Sequence, residues 1–261
     1  SSRGLGDVYK RQVTANLVVV LVEPSGPLNV GSVARLCANF GVAGLRLVAP
    51  RCDPADPQAK QMAVRGLEHL LSCQLYPTLE TAIADCRRVV ACSGRVEGKE
   101  RDHLPPQAAL QWLMEPKPGP EQVALVFGRE DHGLHSSELN LAGKLLRIPT
   151  SGSYRSLNLS HAVAICLAEQ HRQQTIPRES NSENSSTALP PNGDFESAMG
   201  DAENLLLEVG FLYPHTAAAR MAKLRQLLLR AEPNETEVAM LRGMVRQLRW
   251  ASRHGVSDEP R

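Results

Sequence analysis

Three segments of this 261-residue chain carry residue types that can do chemistry, in patterns a packed core does not need. The first is Glu23-Pro24-Ser25-Gly26-Pro27-Leu28-Asn29-Val30-Gly31-Ser32-Val33-Ala34-Arg35. Its two glycines and two prolines make a rigid turn that a ligand can approach closely. Asn29 and Ser32 are good helix N-cap types, and Arg35 would then fall one turn into a helix, near its positive end. Alone, such a loop is a weak phosphate-site signal, and a surface salt bridge accounts for Arg35 equally well. The second segment, Phe127-Gly128-Arg129-Glu130-Asp131-His132-Gly133-Leu134, sets a charged tetrad between two glycines. It reads either as a tight turn or as a loop whose backbone contacts a ligand. The third, Ile148-Pro149-Thr150-Ser151-Gly152-Ser153-Tyr154-Arg155-Ser156-Leu157-Asn158-Leu159-Ser160, ends a long polar loop in a Ser-x-Asn pair at the mouth of an apolar helix. Ser156 or Asn158 could serve as a cap there, and capping and ligand binding can coexist.

Several chemistries are unsupported. No Gly-x-Gly-x-x-Gly follows a strand-like run, no Walker Lys-Ser/Thr occurs, and there is no Gly-x-Ser-x-Gly elbow. His132 and His135 lack a nearby third ligand, so no metal is expected. The six cysteines, at 37, 52, 73, 86, 92 and 166, form no Cys-x-x-Cys and no zinc-finger spacing. In so long a chain they read as reduced thiols, which implies a cytoplasmic location.

Five apolar runs must position these loops: Leu17–Val22, Leu45–Val48, Arg88–Cys92, Val123–Phe127 and Leu145–Ile148. Continuous β-branched runs of this kind suit strands buried on both faces of a parallel sheet. Helical spacing separates them, at Ser32–Phe40, Thr78–Cys86, Pro105–Met114 and Leu157–Gln170, which predicts an α/β fold. In such a sheet ligands bind at the carboxyl ends of the strands, where all three loops lie. Residues 1–12 show no periodicity and read as a disordered or non-native leader, with the α/β domain over 13–172.

Composition supports a globular body: 42% apolar, 22% charged and a formal net charge of +1, with no apolar run long enough to span a bilayer. Aromatics are only 4%, so Leu, Val, Ala and Ile must build the core. Residues 173–195 are rich in Ser, Asn, Glu and Pro and read as a flexible linker that lets the C-terminal part move relative to the α/β domain. A helical appendage is expected over 196–261, with helices at Glu196–Gly210, Thr216–Ala231 and Glu235–Arg253. Residues 215–254 hold eight Lys/Arg and three Glu, a basic surplus of five. Solvated helix faces or an RNA-binding surface would both produce it. Leu205, Leu206, Leu227, Leu228 and Leu241 are candidates for packing across a dimer instead.

Together the three loops resemble the signature motifs of the SpoU/TrmH RNA ribose methyltransferases of the SPOUT class. The resemblance covers about 17–170, in the family's order: Asn29-x-Gly31-x-x-x-Arg35, then Phe127-Gly128-Arg129-Glu130-x-x-Gly133-Leu134, then Ile148-Pro149 with Ser156-Leu157-Asn158-Leu159-Ser160. Each motif alone is weak, but the ordered set is strong. Within the family the nearest resemblance is to the branch that methylates tRNA. It rests on Ala91-Cys92-Ser93-Gly94-Arg95, on Tyr154, and in the tail on Gly210-Phe211-Leu212, Met221-x-Lys223-Leu224-Arg225 and Met240-Leu241-Arg242-Gly243. One departure is Cys92-Ser93-Gly94, where such sequences tend to read Thr-Ser-Ala.

The resemblance implies a parallel sheet closed by a C-terminal trefoil knot, a topology that physics otherwise disfavours. It implies S-adenosylmethionine as cofactor, meeting Ala91, Cys92, Gly128, Ile148, Ser156, Leu157 and Asn158, and a homodimer in which Arg35 completes the partner's site. It implies 2′-O-methylation of tRNA, at a pyrimidine, nucleotide 32 of the anticodon loop. Arg35, Asn29, Glu130, Ser156 and Asn158 would carry catalysis, with Asn29 and Glu130 holding Arg35. Arg35, Arg95, Tyr154 and Arg155 would contact RNA. Competing readings are a SPOUT enzyme acting on ribosomal or other RNA, a non-catalytic RNA-binding homologue, and a small-molecule α/β enzyme with a phosphate-binding loop.

Overall fold

The computed structural model describes residues 16–94, 103–117, 122–151, 155–175 and 188–254. The proposed leader, Arg95, Tyr154 and most of the proposed linker lie outside the described residues. Seven parallel strands form one sheet in the order β3-β2-β1-β6-β4-β7-β5. They are β1 (Asn16–Val22), β2 (Gly44–Val48), β3 (Gln74–Tyr76), β4 (Arg88–Cys92), β5 (His103–Leu104), β6 (Gln122–Phe127) and β7 (Lys144–Leu146). All five expected strands are present. The two that the sequence pattern did not reveal, β3 and β5, are short edge strands. Gln74-Leu75-Tyr76 and His103-Leu104 are too short to carry a period.

β1, β6 and β4 are inner strands, which is why their sequences run apolar without alternation. Alternate β1 residues serve opposite faces. Leu17, Val19 and Leu21 pack with α1 (Pro27–Phe40), α5 (Pro106–Leu113) and α7 (Leu159–Thr175), while Val18, Val20 and Val22 pack toward Leu79 and Ala82 of α4 (Leu79–Ala82) and Ile83 just after it. Short helices α2 (Pro57–Ala63), α3 (Leu67–Leu71) and α6 (Ser136–Leu139) complete the body. The helix expected over Thr78–Cys86 stops at Ala82, whose carbonyl accepts a 2.6 Å hydrogen bond from Arg46.

The first long helix starts earlier than its capping residues suggested. Gly26 is the N-cap of α1 and Pro27 opens it, a position where proline's missing N–H costs nothing. Ser32 is therefore no cap. Arg35 lies eight residues in, about 12 Å along the axis, and not near the positive end.

The C-terminal part forms α8 (Asn192–Glu208), α9 (Pro214–Ala231) and α10 (Glu235–His254) around a core that includes Phe195, Met199, Leu212, Met221 and Val238. This bundle is attached to the α/β body. Asn192 N donates to Cys86 O at 2.9 Å and Gly193 N to Ala84 O at 2.8 Å. The buried Arg88 ion-pairs with Glu232 at 2.9 Å and stacks 4.5 Å from the Trp112 ring centroid, while Trp112 Nε1 donates to Glu232. Residues 192–195, read from composition as linker, thus belong to α8 and hold the bundle against the sheet domain. Leu205 is buried, Leu206 and Leu228 pack half-buried against the bundle's own core, and Leu227 is 55% exposed.

Candidate functional site

The carboxyl ends of β4, β6 and β7 converge on one cavity of about 330 Å³. Cys92, Gly128, Ile148, Ser156 and Leu157 line it, as the sequence motifs suggested. Ala91 does not: it is 1% exposed inside β4. Asn158 stands beside the cavity as part of a hydrogen-bond chain. Arg155 also lines it, and so do Asp131 and His132, which the motifs left without a role.

That hydrogen-bond chain ties the three loops together. The Glu130 carboxylate accepts from Gly26 N, Ser25 N, Ser25 Oγ and Asn29 Nδ2, all within 3.0–3.1 Å. Asn29 Oδ1 in turn accepts from Asn158 Nδ2 at 3.0 Å. Asn158 Oδ1 accepts from Ser160 N at 2.9 Å, so Asn158 caps α7 while bonding to the first loop. Burial raises the Glu130 pKa, but the donors from Asn29, Ser25 and Gly26 outweigh it and hold the group below its ordinary value. Glu130 thus sits as the anion at the N-terminus of α1. The seat that suggested a phosphate site is filled by the chain's own carboxylate, which removes the phosphate-loop reading.

Gly128 and Gly133 are explained by the loop itself. A Cβ on Gly128 would lie 2.2 Å from the Gly133 carbonyl carbon, and Gly133 sits at φ 68°. Arg129 and Gly133 bond to each other across this turn, at 3.3 and 3.0 Å. The tightness predicted for cofactor approach is therefore required first by the turn's own closure.

Arg129 is the functional-site residue whose role the sequence did not reveal. It is 6% exposed and lines the cavity. It forks onto Glu138 at 2.9 and 3.0 Å and bonds to Glu23 at the exit of β1. Glu138 and then Glu23 raise its pKa. The Arg129 hydrogen bond, with help from Arg51, depresses Glu23 from its ordinary value of 4.5 to about 2. The signal was invisible because Glu23 and Glu138 are separated from Arg129 by different sequence distances and meet only through the sheet. A depressed carboxylate stabilises the fold above its unfolded pKa and loses that contribution as pH falls through the folded one. Wild-type melting temperature is therefore expected to fall between about pH 4.5 and pH 2 relative to Glu23→Gln, as differential scanning fluorimetry across that range would register.

Arg35 is not brought to this network. It is exposed and makes no hydrogen bond or ion pair with any described residue, and it does not line the cavity. Asn29 and Glu130, expected to hold it, hold each other.

Comparison with known proteins divides the chain along these two parts of the fold. Residues 16–168 match the SpoU rRNA Methylase family, and residues 195–257 match the C-terminal domain of the tRNA methyltransferase TrmJ. The chain is 36% identical, over 88% of its length and 94% of the relative's, to the tRNA (cytidine/uridine-2′-O-)-methyltransferase TrmJ of Cronobacter sakazakii. It is similar to the crystal structure of TrmJ from Z. mobilis ZM4, with TM-score 0.78 and 30% identity over 90% of this chain and 99% of that one. A structure described by the 2-OH methylation of C/U34 on tRNA matches 61% of this chain and 96% of its own, at TM-score 0.50 and 29% identity.

Proposed function

The chain belongs to the SpoU rRNA Methylase family, and from that premise we propose that this RNA 2′-O-methyltransferase uses S-adenosylmethionine to methylate tRNA at a pyrimidine, nucleotide 32 of the anticodon loop. The observation that carries the reading is the Glu130–Asn29–Asn158 chain. It locks the three motif loops around a cavity at the low end of the size range of small-ligand sites. The cavity also fits a polar ligand in detail. Arg129, in its wall, keeps a buried Nε–H without an acceptor among the described residues.

When bound, S-adenosylmethionine supplies a methyl group on a sulfonium. Cys92, Gly128, Ile148, Ser156 and Leu157 would hold it, with Asn158 fixing the loop that carries Ser156. A ribose 2′-hydroxyl is a poor nucleophile and needs orientation and charge stabilisation. Guanidinium does not readily deprotonate, so Arg35 acts as a fork on an RNA phosphate that also stabilises the developing alkoxide. Its position away from the cavity of its own chain supports a homodimer in which it completes the partner's site. Arg155 lines the cavity mouth as an RNA contact, with Arg95 and Tyr154 completing that set. The trefoil knot is supported by α7, which comes after the third loop and packs between α1 and α5. Six free thiols and a tRNA substrate support a cytoplasmic location.

The C/U34 neighbour uses 96% of itself on 61% of this chain, so it has no counterpart of the whole bundle. Charge supports an RNA grip on one stripe of that bundle. Residues 192–254 hold eight Lys/Arg and eight Asp/Glu, so the surplus read over 215–254 vanishes once α8 is counted. Arg225 pairs with Glu196, Arg242 with Asp201, and Arg249 and Arg253 with Glu208. Arg220, Lys223 and Arg230 make no ion pair with any described residue, and with Leu227 they form the exposed face of α9 at i, i+3, i+7 and i+10. Replacing these three cations by Gln is expected to weaken tRNA binding and to lower its salt slope by about two to three, with cofactor affinity unchanged. Filter binding across a salt series measures both.

Nucleoside mass spectrometry with positional mapping tests the function. Purified protein and S-adenosylmethionine should give a 2′-O-methyl pyrimidine at nucleotide 32 of a tRNA transcript. Methylation at 34 would correct the position, and methylation of ribosomal RNA alone, or of no RNA, would overturn the reading.

A further inference from the structure

We propose that Arg65 is a second RNA-phosphate contact, presented beside Arg35 by the turn at Val64–Gly66; this rests on the RNA methyltransferase reading above. Val64 opens a single 3-10 turn with φ 48° and ψ −112°. A positive φ is a genuine outlier for a β-branched residue, because its branched side chain crowds the backbone there. Burial of the side chain does not offset this strain, since Val64 is 55% exposed. Conformations of this kind persist only where surrounding structure imposes them, and they cluster at functional sites.

The surrounding structure is α1. Gly66 is buried against the backbone of that helix at the catalytic arginine. A Cβ on Gly66 would lie 2.5 Å from Arg35 Cα and 2.6 Å from Ala34 O, so no side chain fits. Consecutive Cα atoms are about 3.8 Å apart, which puts the Arg65 Cα within about 8 Å of the Arg35 Cα. Two extended arginine side chains rooted that close can reach neighbouring phosphates of one strand.

Arg65 is also left available. It is exposed and makes no hydrogen bond or ion pair with any described residue. Glu68, three residues on in α3, is placed at helical ion-pair spacing and is not used by it. Arg35 is likewise exposed and unpaired. The strained turn thus roots two exposed, unpaired arginines within about 8 Å of each other at Cα, and a polyanion is the partner that such a pair suits. The contact carries no base information, so Arg65 sets register and affinity, not the choice of nucleotide.

The test compares wild type, Arg65→Ala and Arg65→Lys in the whole 261-residue chain, using a tRNA transcript. Arg65→Ala should raise KM for tRNA several-fold, to about tenfold, leave kcat within about twofold, and lower the salt slope of binding by about one. Arg65→Lys should keep most of the slope, because a point charge still displaces a counterion. Cofactor affinity and melting temperature should not move in either. The slope separates a phosphate contact from a packing role, which would shift melting temperature and leave the slope alone. A wild-type enzyme that methylates tRNA with an Arg65→Ala variant of unchanged KM and slope would overturn the Arg65 assignment alone. A wild-type enzyme that neither binds nor methylates tRNA would overturn the functional reading beneath it.

Discussion

Arg35→Ala is expected to lose methyl transfer by at least roughly 10²- to 10³-fold while binding S-adenosylmethionine with near wild-type affinity. The separation comes from position. Arg35 lies more than two turns into α1, outside the cavity lining and outside the Glu130–Asn29–Asn158 chain. Its removal should leave the cavity and the loop lock intact and delete the group proposed to stabilise charge on the attacking oxygen. Arg35→Lys should also be poor, because an ammonium cannot reproduce the planar fork. Single-turnover kinetics with labelled cofactor measure the chemical step, and calorimetry measures the binding. Turnover near wild type in Arg35→Ala would remove this residue from the mechanism.

Gly128→Ala should produce the complementary defect. The added Cβ would sit 2.2 Å from the Gly133 carbonyl carbon and 2.4 Å from Leu134 N, both backbone atoms that cannot rotate away. The turn must open, and opening it moves Arg129 and Glu130, which share its backbone. Overpacking of this kind typically costs about 1–3 kcal/mol, so the sheet core should survive. A displacement of about 1 Å at a positioning loop is enough for a loss of about 10²-fold. Methyl transfer is therefore expected to fall by about 10²-fold and cofactor binding to weaken, while circular dichroism stays wild type. Mixing the two inactive proteins provides a further check. If Arg35 serves the partner's cavity, exchange between Arg35→Ala and Gly128→Ala dimers restores one intact composite site and part of the activity. No recovery after demonstrated subunit exchange would put Arg35 in its own chain's site.

The pairing of charges in the helical bundle shows how a sequence window misleads. Residues 215–254 count as basic, yet four of their eight cations are matched by Glu196, Asp201 and Glu208 of α8, which lies outside that window. What survives is the α9 stripe of Arg220, Lys223 and Arg230, with Arg246 on α10. It has a narrower and more testable footprint than a uniformly basic tail.

By itself the sequence determined the inner strands, the order of the three motif loops and their attachment to strand ends. These properties are written locally. After their first residues β1, β4 and β6 are apolar because both their faces are covered, and Gly128, Asn29 and Asn158 sit in motifs whose spacing is fixed along the chain. Tertiary structure decided the rest. Edge strands β3 and β5 form because β2 and β7 offer them hydrogen bonds, and two or three residues carry no period of their own. Glu130 fills the N-terminus of α1 from 101 residues away, so local sequence left that seat looking ready for a phosphate. Arg129 meets Glu23 and Glu138 only once the sheet aligns their loops, and Arg35 is separated from Asn29 only because α1 starts at Pro27. Local periodicity reports which face of an element is buried. It does not report which distant side chain will arrive there, because that is set by the packing of the whole sheet.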